Sequence, residues 1–506
     1  MDEVLPLSTL SACSHLQRPR SRLRTVLERV DAAVGGGLER LTMTHHVRRL
    51  RRLGHPDALD PPVDGSLWCA GEPRPRAGNA LEVLVDGADA LPRIAEALGS
   101  ARSHVHVAGW HVEPDFRLDR GEGSTSLRAL LAEVAERVPV RVLAWAGAPL
   151  PVFKPTRRAV RRGRTELIAG TRISCALDHH ERPFHCHHEK LVIVDDRVAF
   201  VGGIDLTSLG GDRFDSAAHP HRDGLGWHDA TTHLRGPAVA DVAEHFRERW
   251  QEVAGEALPA VVVPSAAGEV ELQVVRTLPD GAYRFAPRGE FRILEAYVRA
   301  LRSARELVYL ENQFLWSPEL VEILVAKLRT PPSPEFRVIA LLPAKANNGA
   351  DDTRGQLGVL ADADAGRGRF LACTLVARDE RRSVSSPVYI HAKIGIVDDR
   401  WLTVGSANLN AHSLFNDSEV NVVTQNRELA RSVRHRLWSE HLELAPEEVT
   451  GPGHLVVDRR WRPIAHAQLE RRQAGLPPTH RLTELAGVSR RSMRLLGPLQ
   501  GLVVDG

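Results

Sequence analysis

One short pattern, His-x-Lys-x-x-x-x-Asp, occurs twice in this chain, with the copies 203 residues apart. The first is His188, Lys190 and Asp195 within HEKLVIVD; the second is His391, Lys393 and Asp398 within HAKIGIVD. Both run on alike, into Gly202-Gly203-Ile204-Asp205 and Gly405-Ser406-Ala407-Asn408. Ser100-Ala101-Arg102 is matched by Ser303-Ala304-Arg305 at the same spacing. A repeat kept in register over this distance means that one unit is built twice. One copy of the pattern is weakly specific; two copies with the same continuation are not two unrelated hairpins.

The elements around the copies repeat as well. In the first half, apolar runs predict strands at 81–85, 104–110 and 140–145 and helices at about 91–102 and 126–137. In the second, they predict strands at 271–275, 306–312 and 336–342 and helices at about 290–304 and 318–329. This alternation predicts the α/β class: two similar α/β sandwich halves, each a mixed sheet flanked by helices, related by pseudo-twofold symmetry. We divide the chain into a basic N-terminal arm (1–77), a first half (78–260), a second half (261–450) and a C-terminal segment (451–506) entered at Gly451-Pro452-Gly453. In the arm, Leu23, Val26, Leu27, Val30 and Val34 have helical spacing, which Gly35-Gly36-Gly37 is expected to end. The run Arg48-Arg49-Leu50-Arg51-Arg52 is expected to be a solvated basic face. Near the C-terminus, LTELAGVSRRSMRLLG reads as two apolar helices about a glycine turn, packed in a core rather than reading DNA.

The pattern carries a chemistry. Residues i and i+2 of a strand face the same side, so each histidine points with its lysine. The chain holds 66 Lys plus Arg but only five lysines, Lys154, Lys190, Lys327, Lys345 and Lys393. Two of these fall in the pattern, where a compact ammonium rather than a planar fork is wanted. If the halves face each other, two imidazoles and two ammonium groups surround one phosphate. One neutral ring attacks phosphorus while the other, protonated, supplies the leaving oxygen with a proton. Lys190, Lys393, Ser406 and Asn408 would hold the non-bridging oxygens. Each histidine also needs a carboxylate on its other nitrogen. Asp215, 27 residues after His188, and Glu419, 28 after His391, are the expected partners. Asp195 and Asp398 lie at strand ends, better placed to fix the hairpin than to touch substrate.

These residues resemble the phospholipase D superfamily over most of 80–450, with the closest likeness to the eukaryotic-type enzymes. HHEKLVIVDDRVAFVGGIDLT resembles their first motif, and YIHAKIGIVDDRWLTVGSANLNAHSLFNDSE their second. GDRFD, GWHDATTHLRGPAVADVAEHFRERW and YLENQFLW (309–316) resemble further conserved-type stretches of those enzymes, though Asp212 is an insertion beside Arg213. The resemblance implies the phospholipase D fold and a metal-independent hydrolase working through phosphohistidine, with His188 as nucleophile and His391 as general acid. It also implies that Asn312 and Gln313 lie near the site. The candidate catalytic set is His188, Lys190, Asp195, His391, Lys393, Asp398, Asp215 and Glu419. The candidate phosphate-binding set is Gly203, Asp205, Ser406, Asn408 and Gln313.

Composition narrows the partners. A net charge of +2 gives no global field for nucleic acid. The five cysteines, Cys13, Cys69, Cys175, Cys186 and Cys373, are scattered and odd in number, as in a reducing compartment. The N-terminus lacks a signal-peptide pattern, and no stretch approaches the roughly 20 apolar residues of a membrane span. The expectation is a cytoplasmic monomer whose basic arm offers a peripheral contact to a membrane surface. It would act on phospholipid, with water or an alcohol as acceptor, without cofactor, metal or nucleic acid. Histidines at 179, 180, 185, 187 and 188 with Cys186 fit no standard zinc spacing. His187 is expected to be a positioned or solvated neighbour, and Trp227 and His228 either line the site or belong to the core. The alternatives are a cardiolipin-synthase-like phosphatidyltransferase, a nuclease of the same superfamily and a non-enzymatic scaffold.

Overall fold

The computed structural model describes residues 22–485, apart from 122, 150–152, 183–184, 223, 346–349, 380 and 383; side chains are described from residue 33, except at 350–352. The first half contributes β1 (Arg76–Val85), β2 (Val105–Gly109), β3 (Val140–Trp145), β4 (Ser174–Asp178), β5 (Leu191–Val194), β6 (Val198–Gly202), β7 (Gly226–His228) and β8 (Ala230–Arg235). The second contributes β9 (Val270–Leu278), β10 (Glu290–Phe291), β11 (Leu307–Glu311), β12 (Arg337–Leu341), β13 (Phe370–Asp379), β14 (Val384–Ile390), β15 (Ile394–Val397), β16 (Trp401–Gly405) and β17 (Glu419–Thr424). A last strand, β18, is Leu482–Glu484.

The pairing makes the duplication explicit. The first sheet runs β4-β3-β2-β5-β6-β8-β1 and the second β13-β12-β11-β15-β16-β17-β9. In each, the first three strands are parallel and the remaining pairings antiparallel. The near end of β1, through Arg76 and Asn79, also pairs with β9, so the two sheets share a strand.

Alternation along the strands sorts side chains into three cores. Leu191 and Ile193 of β5, Ala199 and Val201 of β6, Ile394 and Ile396 of β15 and Leu402 and Val404 of β16 enter one core common to both halves. Val192, Val194 and Phe200 turn outward into a core of the first half. Val397 and Trp401 turn outward into the matching core of the second. Both faces of both sheets are therefore covered, which is why these strands are apolar throughout. The helices Val239–Ala254 and Arg427–Leu442 feed the shared core with Phe246, Trp250, Leu437 and Trp438.

The arm differs from expectation. The helix does not end at the glycine triplet; it runs Arg22–Leu53. Three glycines in a helix cost about 1 kcal/mol each relative to alanine, but the second part of the helix is clamped to the second half. His46 bonds Glu319 at 2.6 Å, and Arg49 donates to Asp280, Asn416 and the Phe415 carbonyl at 3.0, 2.8 and 3.0 Å. Leu50 is buried in the second half's core. Arg49 is therefore part of the packing and not of a solvated basic face, while Leu23, Val26, Leu27 and Val30 lie outside the described side chains. At the other end, Leu482–Glu484 is an edge strand beside β13, because Leu482 fills the shared core, and not the start of a helix. Residues 486–497 of that expected helical pair lie outside the described residues.

Candidate active site

Each histidine–lysine pair sits immediately before a strand, His188 and Lys190 before β5 and His391 and Lys393 before β15. The aspartates of the pattern occupy the turns after those strands. Asp195 and Asp196 have φ of 56° and 52°, and Asp398 and Asp399 have 52° and 48°. Asp tolerates this left-handed region better than most side chains. The Asp195 carboxylate accepts from the amides of Arg102, Ser103 and His104 at 2.9, 2.6 and 2.9 Å. Asp398 accepts from Arg305, Glu306 and Leu307, each at 2.8 Å. These two aspartates clasp the hairpin to the start of β2 and of β11. They do not join the histidines, and we remove them from the catalytic set.

The histidines meet across the halves. Their ring centroids are 6.4 Å apart with planes at 65°, and both side chains are buried. Each ring is anchored at Nδ1 by a carboxylate of the opposite half. Glu419, the first residue of β17, holds His188 at 3.0 Å. Asp229, just before β8, holds His391 at 2.6 Å. Anchored so, each ring turns its Nε2 away from its acid.

Asp215 is not one of these acids. Its carboxylate accepts from His219 at 3.0 Å and from Arg222 at 3.0 Å, and no motif histidine is among its partners. The error lies in counting from the histidine. Gly202 pairs with Thr231 and Gly405 with Asn421, so the residue two before each partner is Asp229 in one half and Glu419 in the other. The segment between the strands is 203–229 in the first half and only 406–418 in the second. Aligning DATTHL with EVNVVT, rather than equal offsets, would have found Asp229.

The remaining candidates divide. Lys190 lies 3.3 Å from Asp205 and donates to the His188 carbonyl at 2.5 Å. Lys393 donates to the His391 carbonyl and reaches Gln313 Oε1 at 3.4 Å, where Asn408 also donates at 3.4 Å. Asp205 therefore lies against Lys190 and Gln313 against Lys393, with Asn408 on Gln313. The Ser406 hydroxyl is instead spent on Glu419, which Ser413 also holds at 2.6 Å. Gly203 gives its amide to the Ala230 carbonyl at 2.8 Å, and a Cβ there would come within 2.1 Å of Asp229 Oδ1. Gly203 makes room for the acid and does not offer its amide to a phosphate. Asn312 is structural, accepting from the amides of Phe314 and Leu409 at 3.1 Å each.

Of the two residues left open by the sequence, Trp227 lines the site, while the His228 ring is buried against Asp86 and Glu311 and only its backbone reaches the site. Trp227 packs 4.3 Å from the His391 ring, with the Arg213 guanidinium 3.1 Å from its own centroid. The His228 carbonyl accepts from the amide of His391 at 2.8 Å. His187 is buried and bonds Ser418, Tyr283 at 3.2 Å and Asp178 at 3.1 Å, a positioned neighbour.

Residues 297–440 match the family model described as "Cardiolipin synthase, PLD-like domain". Phospholipase D A of Dictyostelium discoideum is 25% identical over 462 residues, an overlap covering 73% of this chain and 36% of that protein. Phospholipase D alpha 4 of Arabidopsis thaliana is 25% identical over 486 residues, covering 69% of this chain and 62% of that one. Over these lengths the chain is similar to proteins of the phospholipase D type. It spans only 36% to 62% of the length of those two relatives. Among solved structures, phosphatidylserine synthase of Haemophilus influenzae is similar with a TM-score of 0.49 and 11% identity, over 78% of this chain and 94% of that one.

The site's electrostatics follow from burial under excess cation. Burial lowers His391 well below the usual imidazole range, and Lys393, Arg213 and Lys190 add to the effect. Burial pushes Asp229 up to about 6, with Lys393 the main opposing charge. It pushes Glu419 up to about 8 against the pull of Lys190 and the hydroxyls of Ser406 and Ser413. Burial likewise brings Arg213 down to about 10, opposed by Asp205 and Asp229. The buried cations Lys190, Lys393 and Arg213 favour an anion here, whose charge would offset their part in lowering His391.

Proposed function

We propose that this chain is a phospholipase D-type phosphodiesterase, cutting the distal phosphodiester of a glycerophospholipid to leave phosphatidic acid. The observation that carries this reading is the pair of imidazoles 6.4 Å apart, each held at Nδ1 by an acid from the other half and flanked by a lysine. In the first step His188 Nε2 attacks phosphorus; the N–P bond forms, the bond to the head-group oxygen breaks, and His391 gives that oxygen its proton. In the second, His391 takes a proton from water as the water oxygen attacks phosphorus, and the N–P bond breaks. An alcohol in place of water yields a new diester. Lys190, Lys393 and Arg213 balance the growing charge on the non-bridging oxygens. Every proton and electron pair in this scheme moves between side chains, substrate and acceptor, so no metal is assigned a step.

The first test is an assay on phosphatidylcholine vesicles with added ethanol, followed by mass spectrometry of the lipids. Phosphatidylethanol from the wild type but not from His188→Asn supports both the substrate class and the covalent route. Absence of lipid product, with single-stranded DNA degraded in parallel, would overturn the lipid reading. The match of 297–440 to a cardiolipin-synthase-like model favours a second reading, in which the acceptor is another lipid alcohol. Supplying phosphatidylglycerol distinguishes it, since cardiolipin then accumulates in preference to phosphatidic acid. Among the described residues no helix is long and apolar enough to cross a membrane. We propose, from the scattered and odd-numbered cysteines of the sequence, a cytoplasmic location in which the lipid is met at a membrane surface.

A further inference from the structure

Four groups of histidine and carboxylate among the described residues have ligand atoms within 4.8 Å of one another. Two of them, Asp86 with His219, His228 and Glu440, and His228 with Glu311 and His441, set imidazole nitrogens against carboxylates. His219 meets Asp215 and Glu440 at 3.0 and 3.1 Å, and His228 meets Asp86 and Glu311 at 3.0 and 2.9 Å. Each ring nitrogen there faces a carboxylate, so a proton suffices.

The group His185, His412 and Asp417 is different. Here two ring nitrogens face each other: His185 Nδ1 lies 3.0 Å from His412 Nδ1 and 3.3 Å from Asp417 Oδ1. One proton on His185 Nδ1 serves either the imidazole or the carboxylate, not both. Asp417 is fully buried, and its Oδ2 has no hydrogen-bond partner among the described residues. Zinc bonds to nitrogen and oxygen are about 2.0–2.2 Å, so a tetrahedral ion sets its ligand atoms about 3.3 Å apart. The His185–Asp417 spacing of 3.3 Å equals that figure, the His185–His412 spacing of 3.0 Å is slightly below it, and all three atoms lie within 4.8 Å of one another. His185 is 14% exposed, which leaves a solvent side for a fourth ligand.

We infer that His185, His412 and Asp417 bind a divalent zinc ion between the two halves, with water completing the tetrahedron. The site does not include the reacting histidines and does not depend on the proposed activity. Its place gives it a structural effect. Asp417 also accepts from the amide of Cys186 at 3.0 Å, and the Ser418 carbonyl accepts from the amide of His188 at 3.0 Å. An ion there ties the segment that delivers His188 to the segment that delivers Glu419. Sequence spacing hid it because His185 comes from the first half and the other two ligands from the second.

The test uses the full chain, purified without chelator, then stripped with EDTA and titrated with zinc chloride by calorimetry. Expected are about one zinc per chain by elemental analysis, a melting temperature raised by zinc, and a visible tetrahedral absorption band when cobalt(II) replaces it. His185→Ala, at the partly exposed ligand, should fold and lose zinc binding at least tenfold, as should Asp417→Asn. His179→Ala, in the same histidine-rich segment but outside the group, should bind as the wild type does. No zinc binding by the wild type, or undiminished binding by His185→Ala, would overturn the assignment.

Discussion

The two halves share one strand order but solve the same chemical problem with different connections. In the second half, 406–418 joins β16 to β17, and the acid at the end of that segment is Glu419. In the first, 203–229 joins β6 to β8; it carries the inserted Asp212, the Arg213–Trp227 stack and β7 before it delivers Asp229. The longer segment wraps His391 on one side with Trp227, while the shorter one leaves Ser406 and Ser413 to hold Glu419. The lesson is that the acids, not the histidines, define the repeat's working unit. Each half gives its acid to the other half's motif histidine, so neither half holds both members of either motif histidine–acid pair.

The hardest way to break this comparison is to remove either histidine. His188→Asn and His391→Asn should each cut turnover by about 10⁴-fold or more, since the residues act as one unit. Near wild-type turnover from either would end the two-histidine scheme. Next come the acids. Asp229→Asn and Glu419→Gln should each lower kcat by roughly 10²–10⁴-fold with the fold retained, while Asp215→Asn should stay within about tenfold of wild type. A larger loss from Asp215→Asn than from Asp229→Asn would reverse our correction. Gly203→Ala, whose Cβ meets Asp229, should resemble Asp229→Asn, and Gly405→Ala, whose Cβ meets Asn421, should instead act on β17 and stability.

The clasps provide a stability contrast. Asp195→Ala and Asp398→Ala each remove the acceptor of three amides and should cost about 2–4 kcal/mol in denaturant unfolding. If the halves are equivalent in packing, the two losses agree. The smallest effect is on pH dependence. Asp229 must be ionised to support a charged His391, and its ionised fraction rises as pH rises through about 6. The acid limb of kcat/KM should therefore fall near pH 6 and move in Asp229→Asn. The stability sign is opposite. A buried carboxyl with a raised value keeps a proton that the unfolded chain has released, so stability falls as pH rises from about 4. For Glu419 that decline continues through about 8, and Glu419→Gln should flatten it in melting curves recorded from pH 5 to 9.

The sequence by itself determined the duplication, the α/β class, the strands at 140–145 and the helix at 318–329, and the two histidine–lysine pairs. Those features are local or periodic: alternation of apolar residues, a repeated motif, a fixed offset. It also carried Glu419 as a site acid, but as the expected partner of His391; in the structure Glu419 holds His188 of the other half. Tertiary structure decided the rest. The glycine triplet stayed helical because His46, Arg49 and Leu50 are held by partners more than two hundred residues away, which no helix-stop signal can weigh. Asp229 displaced Asp215 because strand register, and not distance from the histidine, selects the residue that faces the other half. The catalytic reading of Asp195 and Asp398 gave way because their partners are amides at the start of distant strands. Residue types and periods write the parts of this molecule; contacts between its halves, which have no local signature, assemble the site.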